Sequence, residues 1–351
     1  MPHRIVILGG SGFVGRHLAE RLCQQGHHVR VLTRNRERHR EDLLVLPGLE
    51  LVQANVHDPV ELERQLQDRD VAINLVGILH ERRPGRNDLP PERHGDFEKT
   101  HIELPRLLAN TCARLGVQRL LHMSALGANP VAPSAYLRSK GIGEEIVRQA
   151  GENSAALGHF TYLNGPKLVW GRGLHVTSFR PSVIFGDGDS FFNQFAKLLR
   201  SVPLFIPLAK ANAKLQPVWV EDVVSAFVQA IDEPKTFGKS FDLCGPKVYT
   251  LAELLRYTQS LISKHQAIVP LCDLLATLQA SIFEKLPGKI ITRDNLLSLS
   301  VDNVCQHNDL LHAFGIEAMA LESVVPEYIG GGRAAQFSAA RQRRPGQGKS
   351  A

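Results

Sequence analysis

The sequence predicts an α/β protein built on a doubly wound parallel sheet, and three observations carry that reading. A continuous apolar run, "RIVILGG", ends in glycines at its start; a helical repeat and a second apolar run follow within about 30 residues; and the alternation then persists for some 150 residues. A strand, a helix and a strand in so short a span form a βαβ unit, whose crossover favours parallel pairing.

Each element can be justified in order. "GRHLAERLCQQG" has helical periodicity and ends at Gly26, a C-cap residue, and "HHVRVLTR" is the second strand. Strands three to five are read in "LELVQAN", "VAINLVGIL" and "RLLHMSA", separated by a helix from about Pro59 to Gln67 and a long one around Phe97 to Gly116. A helix from about Ala135 to Ala150 leads to the sixth strand in "LHVTSFRPSVIFG". This is a Rossmann-type order.

From Asp187 the pattern loosens around Pro203, Pro207 and Pro217, as in a smaller substrate lobe. "VEDVVSAFVQAID" reads as a helix and "KSFDLCG" as a strand returning to the main sheet, so the lobes interleave. The expected domains are a dinucleotide-binding domain over 1–185, with an insert at 151–173 and its sheet completed by about 219–246. A small C-terminal lobe spans 186–218 and 247–329, and 330–351 is expected to be a disordered basic tail. "VPLCDLLATLQASIFEKLPG", 269–288, is expected as one apolar helix opened by Pro270, packed under the small lobe, docked on a partner or laid on a membrane.

Composition narrows the function classes. No run approaches the roughly 18–20 apolar residues of a membrane span, and no secretory signal is read, so a cytoplasmic chain is expected. The five cysteines lack a CxxC pair, which argues for reduced structural thiols and against a zinc site. The histidines offer no metal spacing; His307 and His312 stand five apart, on different helical faces. The net charge of +6 concentrates in Arg34 to Arg40, Arg82 to Arg86 and the tail from Arg333. These follow no nucleic-acid module, so no nucleic-acid partner is expected, whereas Arg82, Arg83, Arg86 and the tail suit peripheral contact with anionic lipid.

The candidate chemistry begins at Gly9, Gly12 and Gly15. Missing side chains after a strand and at a helix opening let backbone amides, with Ser11, Phe13 and Val14 alongside, meet a pyrophosphate. The second strand ends in "VLTRNRER", with no acid before Glu37, so Arg34 is the candidate clamp for a ribose 2′-phosphate; the alternative is a solvated basic loop. NADP(H) is the expected cofactor, with NAD(H) as the alternative. Asn55 and Val56 in "ANVHD" are assigned to the adenine, and Asn74, Val76 and Gly77 in "NLVG" to the nicotinamide ribose. Tyr136 and Lys140 share a helical face at i,i+4, and Ser124 ends the fifth strand. An ammonium beside the phenol would lower its pKa, making Tyr136 a general acid or base, with Ser124 orienting a carbonyl and Lys140 holding the ribose.

With "GGSGFVG", "INLVG", "YLRSK", "RPSVIFG" and "PVWVEDV" in this order, the chain resembles an extended, atypical short-chain dehydrogenase/reductase. "NLVGILHE", "HMSALGA", "RPSVIFGDGDSFFNQFAKLL" and "EKLPGKIITRDNL" make it similar to the branch holding the NADPH-binding accessory subunit of respiratory complex I and its bacterial relatives. That resemblance implies a cofactor-binding subunit or stabiliser of a respiratory or quinone-related assembly. The alternative is an active oxidoreductase or epimerase acting on a carbonyl, sugar-nucleotide or quinone-like substrate. Two departures stand out: His101 falls where the family has an active-site asparagine, and a histidine there would titrate near neutral pH. The insert, with Phe160, Tyr162 and Trp170, is read either as a lid or partner surface, or as a segment packing its own aromatics.

Overall fold

The computed structural model describes residues 2–43, 46–81, 95–156, 159–162, 168–171, 173–202, 204–283 and 292–329. Arg82, Arg83 and Arg86, the expected tail and the side chains of the insert aromatics lie outside the described residues.

The first compact unit comprises Met1–Pro181, Val223–Leu243 and His307–Ile316. Its strands are β1 (Arg4–Leu8), β2 (His28–Thr33), β3 (Leu49–Gln53), β4 (Val71–Asn74) and β5 (Arg119–Met123). The antiparallel pair β6 (His159–Tyr162) and β7 (Leu168–Gly171) lies in the insert, and β8 (His175–Pro181) follows. The second unit holds β9 (Ile184–Phe185), β10 (Phe205–Leu208), β11 (Lys214–Leu215) and β12 (Val218–Trp219), and the chain returns to the first with β13 (Lys239–Leu243). β14 (Tyr249–Thr250) and β15 (Ala267–Pro270) are again in the second unit.

Seven strands form one sheet in the order β13-β8-β5-β4-β1-β2-β3, and every pairing in it is parallel. The fold class read from the sequence is therefore observed. The order reverses between β1 and β4, which is where doubly wound sheets leave a crevice for ligands. Ile5, Val6, Ile7 and Leu8 are wholly buried, as a central strand covered on both faces requires.

The helices are α1 (Phe13–Gln24), α2 (Arg36–Leu43), α3 (Pro59–Leu66), α4 (Leu104–Leu115), α5 (Ala135–Ala156), α6 (Phe191–Ser201), α7 (Val220–Ala230), α8 (Leu251–Leu261), α9 (Asp273–Phe283), α10 (Arg293–Ser298), α11 (Asp309–Phe314) and α12 (Leu321–Ile329). Three differ from expectation. The basic loop is helical, because the Asn35 side chain accepts the Arg38 amide and caps α2. The long helix before β5 opens with a π-helical turn, Glu98–Glu103, a form that recurs at functional sites. Pro270 ends β15 instead of opening a helix, since residues 267–270 pair in parallel with 205–208 and α9 starts only at Asp273. On α9, Ala276 and Ala280 are buried with Ala209 and Leu296, while Leu274 and Leu275 are exposed.

The expectation of reduced thiols is corrected for one pair: Cys244 and Cys305 are bonded, although 61 residues apart. Gln216 brings them together. Its side-chain oxygen accepts the Cys305 amide, and its side-chain nitrogen donates to the Gly245 carbonyl. No helix among the described residues is long and apolar enough to cross a membrane.

Candidate functional site

At the exit of β1, Gly9 sits at φ +79°, and a Cβ there would lie 3.0 Å from the Leu75 carbonyl carbon. Only glycine adopts that turn against β4 without strain. At Gly15 a Cβ would stand 2.5 Å from Gly10 Cα, so the first turn of α1 rests directly on the loop. Gly12 caps α1 without a side-chain hydrogen bond, and no acid occupies the first turn. The helix therefore presents uncapped amides and its positive dipole end, as a pyrophosphate requires. Phe13 and Val14 begin that helix, and the Ser11 hydroxyl donates to Thr33 Oγ1 on β2 at 3.3 Å, pinning the loop.

Arg34 follows β2 and is exposed. Its neighbour Arg36 is committed elsewhere, donating from Nε to the Leu51 carbonyl. Across the β3 exit, His57 is held below its ordinary pKa, first by burial and then by the charges of Lys99 and Arg34. Three basic groups thus converge at this end of the site, and Lys99 lies in the π-helical turn, where sequence reading had no signal for it. Asn55 Oδ1 accepts the His57 amide, and Val56 is buried in the core with Leu62 and Leu66.

Asn74 is completely buried and its side chain is used internally. Oδ1 accepts the Val76 amide at 3.1 Å and Nδ2 donates to His122 Nδ1 at 3.2 Å. Its polar atoms thus shape the backbone at Val76 and leave none of the side chain for a ligand. Gly77 is exposed, and a Cβ there would lie 3.4 Å from Lys140 Nζ, so the glycine leaves the ammonium against open backbone.

Tyr136, Ser139, Lys140 and Glu144 are displayed by α5, and Gly143 lets that helix approach the π-helical turn: a Cβ at 143 would fall 1.9 Å from the His101 carbonyl oxygen. His101 Nε2 accepts the Ile78 amide at 3.1 Å, which leaves Nδ1 to carry the proton and donate to Ser139 Oγ at 2.9 Å. Ser139 in turn donates to the Tyr136 carbonyl. The expectation that His101 titrates near neutrality is corrected: burial first, then the charges of Lys140 and His122, hold it well below the usual histidine range. It remains a neutral ring with both nitrogens engaged.

The expected activation of the phenol is corrected too. Tyr136 is pushed up to about 12 by burial, above the ordinary phenol range. Lys140 donates to the Met123 carbonyl at 2.8 Å and is pushed down to about 8 by burial, against the pull of Glu144. Glu144 is itself buried; desolvation raises it, but the Arg180 guanidinium, two short bonds from β8, brings it below the usual range. Ser240 also donates to Glu144. Ser124 is buried, and its hydroxyl lies near the Glu144 carboxylate without completing a hydrogen bond. Glu144, His122 and Ser139 were not singled out from sequence, although Glu144 at i+4 from Lys140 was within reach of the helical-face argument that paired Tyr136 with Lys140.

The family comparison covers both the glycine-rich turn and the helix after β5: the NAD dependent epimerase/dehydratase family matches residues 5–244. The chain belongs to that family. Among curated proteins it is 29% identical over 269 residues to the mouse (Mus musculus) mitochondrial NADH dehydrogenase [ubiquinone] 1 alpha subcomplex subunit 9, covering 75% of this chain and 62% of that relative. It thus spans less than two thirds of that relative's length. A ceramide reductase of Caulobacter vibrioides is 24% identical over 271 residues, 77% of this chain and 74% of its own. Among solved structures, MoeE5 in complex with UDP-glucose and NAD superposes at a TM-score of 0.67 with 16% identity, covering 97% of this chain and 99% of that one, a likeness of fold. As an epimerase/dehydratase-family site, the crevice takes a nicotinamide dinucleotide.

Proposed function

We propose that the chain binds NADP(H) and serves as a cofactor-binding subunit or stabiliser of a respiratory or quinone-related assembly, seated at the inner face of a membrane. The observation that carries the cofactor choice is the convergence of Arg34, His57 and Lys99 beyond β2 and β3, with no carboxylate on the β2 exit before Glu37. A 2′-phosphate would meet charge-assisted donors there, whereas a bare ribose hydroxyl would find no acid to accept its proton. The assembly role draws its support from the likeness to the mouse mitochondrial subunit. A resting site whose phenol is pushed up to about 12 and whose histidine ring is locked also favours binding over turnover.

The second reading is an active NADP(H)-dependent oxidoreductase or epimerase. It is favoured by Tyr136 and Lys140 on one face of α5, with the Lys140 ammonium beside the open backbone of Gly77, where it would reach ribose hydroxyls. A bound nicotinamide would supply hydride chemistry, Tyr136 would move the proton and Ser124 would orient the carbonyl.

Titration calorimetry with NADPH and NADH tests the cofactor, and equal affinities would overturn it. Gentle purification from host membranes, with mass spectrometry of what accompanies the protein, tests the assembly. Stoichiometric respiratory or quinone-pathway proteins are expected. A free protein that oxidises NADPH, and loses that activity but not binding in Tyr136→Phe, would establish the second reading instead.

A further inference from the structure

Within the second unit, β10 and β15 form a two-stranded parallel ribbon whose register pairs Phe205 with Ala267 and Pro207 with Val269. Side chains alternate faces along a strand, so these four share one face. The opposite face is the inward one: Ile206 and Leu208 are buried in the second unit's core, and Ile268 packs on it. The outward row is therefore apolar throughout, where a half-solvated ribbon ordinarily carries polar side chains. Phe205 is 57% exposed and Val269 44%; Leu204, next to Phe205 in the chain, is 75% exposed, and Leu274, in the first turn of α9, is 80% exposed.

Charge around this face is mostly positive, with Asp273 and Asp302 as paired acids. Residues 190–220 contain no Asp or Glu but carry Lys197, Arg200, Lys210 and Lys214, and residues 254–272 contain none but carry Arg256, Lys264 and His265. Lys210 is paired with Asp273 and Lys214 with Asp302. A cleft of about 310 Å³ where α8 gives way to β15 is lined by Arg256, Lys264 and His265 together with Gln259 and Ser260. The Gln266 side chain, which donates to the Leu199 and Val202 carbonyls, fastens this cleft to the end of α6, where Arg200 is exposed.

We propose that this ribbon face and its basic cleft dock on an anionic lipid bilayer, with Phe205, Val269, Leu204 and Leu274 at the level of the acyl boundary and Arg200, Arg256 and Lys264 among the phosphates. Exposed aromatic and aliphatic side chains beside cations, in two segments that lack acids and with the neighbouring Asp273 already paired with Lys210, match the two forces that hold a protein at a lipid interface. A protein partner of acidic character would satisfy the cations and leave the apolar row in water. The inference sharpens the membrane seat of the proposed function, yet it requires neither cofactor nor turnover.

The test is sedimentation of the full chain with vesicles of pure phosphatidylcholine and of phosphatidylcholine with one-third phosphatidylglycerol, with NADPH titrated on the same samples. Binding to the anionic vesicles alone, weakened by salt, is expected. Phe205→Ser and Leu274→Ser should each lower partitioning about ten-fold, and Arg256→Gln or Lys264→Gln roughly five-fold, with NADPH affinity unchanged in all four. Competition by inorganic phosphate alone would identify a free-anion cleft and overturn the proposal. Binding to both vesicle types alike, binding indifferent to Phe205→Ser and Leu274→Ser, or self-association that these changes abolish would overturn it as well. Loss of vesicle binding in a chain that still takes NADPH separates this failure from failure of the cofactor reading.

Discussion

At the β1 exit the working atoms are backbone amides made accessible by absent side chains, while at the β5 exit they are side chains held by one another in a nearly dry interior. Gly9, Gly12 and Gly15 form a cradle of backbone tethered by the Gly12 amide on the Gly9 carbonyl and by Ser11 on Thr33. Lys140, Glu144, His101 and His122 are each less than 5% exposed and bound to Met123, Arg180, Ile78 and Asn74, partners distant in the chain. The difference teaches that the cofactor end is preorganised by what it lacks, and the chemical end by a polar network that must stay complete. One region tolerates change in its surroundings; the other transmits it.

The largest effect should come from disturbing the network's packing. Gly143→Ala pushes a methyl into the His101 carbonyl and should lower stability by about 4 kcal/mol in urea unfolding, while also weakening NADPH binding through the displaced π-helical turn. Unchanged stability would show that α5 can retreat, and the contrast with the open end would lose its basis.

Next is acid sensitivity. His122 is pushed from 6.5 to about 3 by burial, then by Lys140. Between those values the unfolded chain binds the proton that the folded chain refuses, so stability is complete above pH 6.5 and is lost as pH falls toward 3. The loss at pH 4 should be about 3 kcal/mol, and His122→Gln should flatten that slope. A wild-type profile without the slope would mean that the ring is hydrated and the interior less dry than described.

The smallest changes belong to the open end. Arg34→Ala should cut the preference for NADPH over NADH by about 1.5–3 kcal/mol, and Lys99→Ala by about 1 kcal/mol, both leaving NADH affinity and folding alone. Calorimetry that found NADH binding equally weakened would place these cations on the shared part of the dinucleotide.

How much was legible in advance follows the same division. The glycine spacing, the alternation of apolar strands with helices and the Tyr136–Lys140 interval are local patterns, and they located the sheet and the helix that carries the site. Arg34 could be proposed from the sequence because it directly follows a strand. Lys99 was not, because its meeting with His57 depends on how the π-helical turn lies beside the β3 exit. The state of Tyr136 is not legible in its i,i+4 spacing, because the ammonium is drawn to the Met123 carbonyl and burial raises the phenol.

The sequence by itself determined the parallel α/β architecture, the dinucleotide turn and the helix bearing tyrosine and lysine, since each rests on backbone sterics and periodicity within a few residues of one another. Tertiary structure alone decided the tautomer of His101, the paired burial of Glu144 with Arg180, the bond between Cys244 and Cys305, and the apolar row of the β10–β15 ribbon. These depend on which distant segment arrives opposite, and on how much water is left between the two; a linear pattern holds neither quantity.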